Sequence, residues 1–169
     1  LSKKMSWVRM PSKKIILILI FIFCFVGCDQ SSKQFAKYHL ENSSAVAYAG
    51  GFIKFVYVEN AGAIFGIGSE LPESLRLTIL FAGIATIIYL FISSVIIKKQ
   101  KIRLKEVSLI ILLSGGIGNL IDRIFNGGKV IDFIILGTAN IHTAVFNFAD
   151  LFIITGALLF VFSSVRKQY

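Results

Sequence analysis

Four runs of predominantly apolar residues punctuate the chain, at about 15–34, 75–97, 107–125 and 146–165. Each approaches the roughly 20 residues a helix needs to cross hydrocarbon. The pattern therefore predicts a mainly α membrane protein with four transmembrane helices. Between the first two runs, residues 37–74 lie outside the membrane and the pattern changes character. The stretch AVAYAGGFIKFVYVENAGAIFGIG (45–68) is rich in β-branched and aromatic residues, with breaks at Gly50-Gly51 and Gly62. It reads as short strands around a turn, clearest over 52–60, forming a small extracytoplasmic β-sheet at the membrane surface. The second run carries Arg76 at its outer end and no other charge, which makes it lipid-facing scaffold. In the third run, Ser114, Gly115, Gly116 and Gly118 are small enough to let another helix approach closely.

Composition agrees and adds an orientation. A chain of 169 residues that is 56% hydrophobic, with mean hydropathy +0.79 and 16 Phe, holds more apolar surface than one soluble core of this size can bury. Of the 18 basic residues, 12 fall before the first run, between the second and third, or after the fourth. The positive-inside rule then places both termini in the cytoplasm and the sheet on the opposite side. Topology accounts for the formal charge of +9, so no nucleic-acid partner is expected. Residues 1–14 form a basic cytoplasmic leader to a single domain spanning 15–169. The leader and the first apolar run together look like a secretory signal, and Phe25-Val26-Gly27-Cys28 looks like a lipobox. The three further spans favour an uncleaved first helix instead. Cys24 and Cys28 read as buried in that helix, and two cysteines there support neither a disulfide framework nor a thiolate zinc site.

Candidate chemistry lies in the polar residues that interrupt the apolar runs. An aspartate at mid-bilayer costs about 2.5–3.5 kcal/mol on insertion scales, so such residues need a partner or a wet cavity. Three of the nine acidic residues, Asp122, Asp132 and Asp150, fall within 29 positions. Asn119, Asp122 and Arg123 are spaced i, i+3, i+4 on one helix and read first as a polar clamp joining helix ends. Asp29 and Lys33 are an i,i+4 pair. They are read either as an interfacial ion pair, with Lys33 snorkelling to headgroups, or as functional. Asn60-Ala61-Gly62-Ala63 reads as a turn.

Asp132 follows the third span in a strand-like segment, and Asp150 opens the fourth span after Asn147. The intervening loop is long enough to bring the two carboxylates together. A pair sharing one proton could activate water and protonate a leaving amine without metal or covalent intermediate. Ion-coordinating carboxylates of a transporter and purely structural polar residues are the competing readings. His142, in the loop between the aspartates, offers a possible metal ligand or a solvated side chain. The Gly-Gly-x-Gly cluster at 115–118 has no preceding strand, so nucleotide binding is rejected.

The polar motifs fall in a recognisable order. Asp29-Gln-Ser-Ser-Lys33, Asn60-Ala-Gly62-Ala63, Gly118-Asn119-Leu-Ile-Asp122-Arg123, Val130-Ile-Asp132-Phe133 and Phe146-Asn147-Phe-Ala149-Asp150 together resemble lipoprotein signal peptidase (signal peptidase II), from about residue 15 to 165. The resemblance implies an aspartic endopeptidase of the bacterial plasma membrane, with its active site near the outer face. Such an enzyme cuts prolipoprotein signal peptides before a diacylglyceryl-modified cysteine. It also implies Asp132 and Asp150 as the catalytic pair. The supporting or substrate-binding residues would be Asp29, Lys33, Asn60, Gly62, Asn119, Asp122, Arg123, Asn147 and Ala149, and the sheet would be a cradle over the membrane. No cofactor or metal is implied. Membrane lipids, lipid-modified precursors and globomycin-type inhibitors are the expected partners, and a monomer is the expected state. Discrimination of the modified precursor from bulk lipid is assigned to polar contacts from Asn60, Arg123 and Asn147. One departure from the pattern is a slightly long loop, Phe125–Lys129.

Overall fold

The computed structural model describes residues 12–62, 70–93 and 102–165. Most of the basic leader, Ala63, residues 64–69, the basic residues 98–101, and Arg166 and Lys167 lie outside these segments. Four helices are long and apolar enough to span a membrane: α1 (Ser12–Leu40), α2 (Glu73–Phe91), α3 (Leu104–Phe125) and α4 (Phe148–Val165). A three-stranded antiparallel sheet joins them at one end of the bundle, in the order β1 (Val46–Tyr48), β2 (Ile53–Asn60), β3 (Val130–Leu136).

α3 and α4 form the tightest helix pair, for a reason visible in their small residues. A Cβ on Gly115 would sit 2.5 Å from Ala149 O, and one on Gly156 would sit 2.8 Å from Leu112 Cγ. The backbones thus approach as the Ser114–Gly118 cluster predicts. α2 leaves Ile79, Phe81 and Tyr89 exposed, in keeping with a lipid-facing scaffold. α3 ends where Gly127 (φ 58°) and Gly128 (φ 83°) take left-handed conformations, and the Gly128 N–H closes the helix on Arg123 O at 3.0 Å. This glycine turn is the path of the long Phe125–Lys129 loop into β3.

Three expectations need correction. The first concerns α1, which continues to Leu40 rather than ending near 34. Its last turns are held by tertiary contact: Ala36 is buried with Phe133, Ile134 and Phe146, and Leu40 packs on the same cluster. At about 1.5 Å per residue, its 29 residues reach about 43 Å, well past a hydrocarbon core of about 30 Å. The second concerns the sheet, which is not confined to 45–68. β3 arrives some 70 residues later to pair with β2, Asn60 opposite Val130 and Val58 opposite Asp132, with a bulge between Phe55 and Val58. The third concerns Cys24 and Cys28, which are exposed on the outer face of α1. Lipid is as apolar as a helix interface, so an apolar run does not reveal which face is inward.

Candidate active site

β3 delivers Asp132 and the first turn of α4 delivers Asp150, both almost fully buried. Asn147 joins them. Its Oδ1 accepts the Asp150 N–H (2.9 Å), while Asp150 Oδ2 accepts the Asn147 N–H (3.3 Å). This reciprocal pair is a capping box that starts α4. The free end of the same amide then reaches out of the helix: Asn147 Nδ2 donates to Asp132 Oδ1 at 2.7 Å and also contacts Asn119 Oδ1 at 3.2 Å. Asn119 Nδ2 returns to Asp150 Oδ1 at 2.9 Å. A ring of Asn147, Asn119 and Asp150 results, with Asp132 attached to it through Asn147. Burial first, and the Asp150 charge second, push the Asp132 carboxyl up to about 7, against hydrogen bonds from Asn60 and Asn147 and the charge of Lys33. A carboxyl poised there can give or take a proton near neutral pH.

Lys33 holds the floor of this ring. Its ammonium is 2.8 Å from Asp29 Oδ2, 2.9 Å from Asp122 Oδ2 and 3.0 Å from Asn119 Oδ1, so all three donors have acceptors. Its side chain is 0% exposed, which overturns the snorkelling reading. Because Lys33 requires an acceptor and Asp150 a donor, the Asn119 amide has only one orientation. Asp29 also accepts the Ala149 N–H at 2.8 Å, anchoring the α4 terminus from α1. Gly118 permits this, since a Cβ there would lie 2.5 Å from Asp29 Oδ2. Asp122 accepts from Gln30 Nε2 (2.8 Å) and from the Ile131 N–H (3.0 Å), tying α1, α3 and β3 together as a clamp would.

On the opposite side of the ring, Asn60 Nδ2 donates to Asp132 Oδ2 at 2.8 Å, and its Oδ1 accepts the Gly62 N–H at 2.7 Å. Arg123 bridges back, donating to Asn119 O at 3.0 Å and Gly62 O at 2.7 Å. These donors of Asn60, Arg123 and Asn147 are thus engaged within the protein. His142 lies apart, exposed, with Nδ1 2.8 Å from Thr143 O. Among the described residues no group of three or more His, Cys, Asp and Glu is placed to hold a metal ion.

The model of the signal peptidase II family matches residues 20–166 of this chain. The chain belongs to the signal peptidase II family. A lipoprotein signal peptidase of Borrelia hermsii is 37% identical over 155 residues, covering 88% of this chain and 89% of that protein. Its counterpart in Borreliella afzelii is 36% identical over 157 residues, covering 89% and 90%. Among solved structures, a bacterial membrane enzyme determined by the in meso method at 2.3 Å resolution superposes with a TM-score of 0.77 at 23% identity, covering 91% of this chain and 90% of that one. That likeness bears on the fold alone. As a signal peptidase II family member, the protein is a multi-pass membrane hydrolase of the peptidase class, and the transporter alternative is dropped.

All eleven candidate residues of the signal peptidase II motifs meet in this one connected network. Sequence reasoning missed two further members. Gln30, between Asp29 and Lys33, is one, and its polar amide at that depth is the signal for it. Arg76, a helix-end charge by sequence, is the other: its Nη1 donates to Ala61 O, beside the Gly62 carbonyl held by Arg123. Nothing in its local sequence marks that contact.

Proposed function

We propose that the protein removes signal peptides from diacylglyceryl-modified prolipoproteins, cutting before the lipidated cysteine as an aspartic endopeptidase with Asp132 and Asp150 as its catalytic pair. The observation that carries this reading is the ring in which Asn147 and Asn119 connect two buried carboxylates from separate segments. Such a pair holds one proton between them more readily than none. Asp132, raised to about 7, is the member we assign the proton.

Asp150 takes a proton from water as the water oxygen bonds to the scissile carbonyl carbon. When the tetrahedral intermediate collapses, the C–N bond breaks and Asp132 gives its proton to the leaving nitrogen. One new carboxyl and one new amine result, and the proton gained by Asp150 restores the shared state. The substrate helix enters laterally from the bilayer with its acyl chains still in lipid, where each buried CH₂ contributes about 0.8 kcal/mol. On this reading both termini are cytoplasmic, the dyad lies near the outer face of a bacterial plasma membrane, and the sheet is a cradle over it. The enzyme acts as a monomer among membrane lipids, and globomycin-type compounds compete with substrate.

The test is incubation of the purified protein with a diacylglyceryl-modified precursor and with the same precursor unmodified. Mass spectrometry should find cleavage of the modified form alone, before the modified cysteine. Asp132→Asn and Asp150→Asn should each abolish it while inserting and folding normally. An uncut modified precursor, or full turnover by either variant, overturns the proposal.

A further inference from the structure

We propose that Arg76 is a positioning residue of this reaction centre, acting from α2 through the Ala61–Gly62 turn on Asn60 and thereby on Asp132. Two guanidiniums from different helices take neighbouring carbonyls of one turn: Arg76 Nη1 donates to Ala61 O, and Arg123 Nη2 donates to Gly62 O at 2.7 Å. The turn so held presents the Gly62 N–H to Asn60 Oδ1 at 2.7 Å. With its oxygen taken, the Asn60 amide must offer its NH₂ to Asp132 Oδ2, at 2.8 Å. Asn147 occupies the other oxygen, Oδ1. Arg76 is thus three links from the carboxyl.

Two observations argue that this arginine is placed for alignment rather than for stability. Its buried Nε has no hydrogen-bond partner among the described residues, and a buried donor without an acceptor opposes folding. The Arg123 charge lies near enough to be felt, which adds like-charge repulsion. Arg76 also makes the one side-chain hydrogen bond from α2 to another element among the described residues; Thr78 and Thr86 bond within the helix. Beside the packing of α2 on α3, this arginine is therefore the hydrogen-bonded link from α2 to the reaction centre.

The kinetic part of the test rests on the peptidase reading; the spectroscopic part does not. Arg76→Met keeps the apolar stem and removes the donor, whereas Arg76→Lys keeps a charged donor. On the modified precursor, Arg76→Met should lower kcat about 10- to 100-fold, the scale expected of small misplacements in a reaction centre, with KM unchanged. Arg76→Lys should recover most of the loss. Introduced into an Asn60→Ala background, Arg76→Met should cause no additional loss, because both act through one contact.

The second readout is a titration of the Asp132 carboxyl by ¹³C NMR in the full-length protein, assigned with Asp132→Asn. Charged groups facing Asp132 are Asp150 from α4, Lys33 from α1 and Arg123 from α3, beside the neutral Asn60 and Asn147. Arg76→Met alters none of them but removes its own cation, so the upward move expected from losing the aimed Asn60 donor should vanish in an Asn60→Ala background, where a direct charge effect would persist. Wild-type kcat in Arg76→Met, a loss confined to KM, additive losses with Asn60→Ala, or an unmoved titration would each overturn the proposal. If the wild-type protein leaves the modified precursor intact, the peptidase reading fails, and the titration still decides the positioning claim.

Discussion

Replacing Lys33 with methionine isolates the energetics of the buried charge cluster. The stem is nearly conserved, but the ammonium that sits 2.8 Å from Asp29 and 2.9 Å from Asp122 disappears. Breaking one buried pair by removing a partner typically costs about 3–5 kcal/mol, because the remaining charge stays buried. Here one deletion strands two carboxylates, so the upper end, about 5 kcal/mol, is the working figure. For a chain of this length about 2–4 °C of unfolding temperature is lost per kcal/mol, which puts Lys33→Met about 10–20 °C below wild type in a detergent or lipid thermal melt. An internal control is available at the same distance. Lys129 and Glu59 also lie 2.9 Å apart, but their side chains are 47% and 31% exposed, so Lys129→Met should cost no more than about 1 kcal/mol. Adding Asp29→Asn to Lys33→Met should recover part of the loss by removing one stranded charge. Equal melts for Lys33→Met and Lys129→Met would refute the claim that burial, rather than pairing distance, sets the cost.

The capping and bridging roles of Asn147 can be separated: Asn147→Ser keeps a good N-cap but cannot span to Asp132, so it should lose about 1–3 kcal/mol to the buried acceptors left unpaired and melt above Asn147→Ala, while turnover of the modified precursor collapses in both. Gly115→Ala should destabilise by about 1–3 kcal/mol through overpacking, read as a lower melting temperature, since its Cβ would meet Ala149 O at 2.5 Å. The Asp132 carboxyl, raised from 3.8 to about 7, binds more protons folded than unfolded between those values. Its contribution to stability therefore falls as pH rises from about 4 to 7 and is flat beyond. Relative to Asp132→Asn, the wild-type melt should lose ground across that window, and turnover should decline as pH climbs past 7 and the shared proton is lost.

Local features of the chain were enough to determine the four spans, because a bilayer imposes length and hydropathy on each helix independently of its neighbours. The same holds for the strand at 52–60 and the strand-like segment around Asp132, whose β-branched and aromatic residues act locally. The charged and amide motif residues of the helices were legible as polar groups in apolar runs, which need a partner wherever they sit. Their partners were not legible. Lys33 looked like a snorkelling side chain because its stem and charge are compatible with either headgroups or a buried pair; only the convergence of α1 with α3 supplies Asp122 and Asn119. The addition of β3 to β2, the extension of α1 to Leu40 and the reach of Arg76 to Ala61 O are likewise contacts between segments far apart in sequence. In lipid, moreover, the inward and outward faces of a helix are equally apolar, so periodicity carries little information about orientation. Which side chains meet was decided by close packing at Gly115 and Gly118 and by the need of every buried polar group for a complement, and both act only once the helices are assembled.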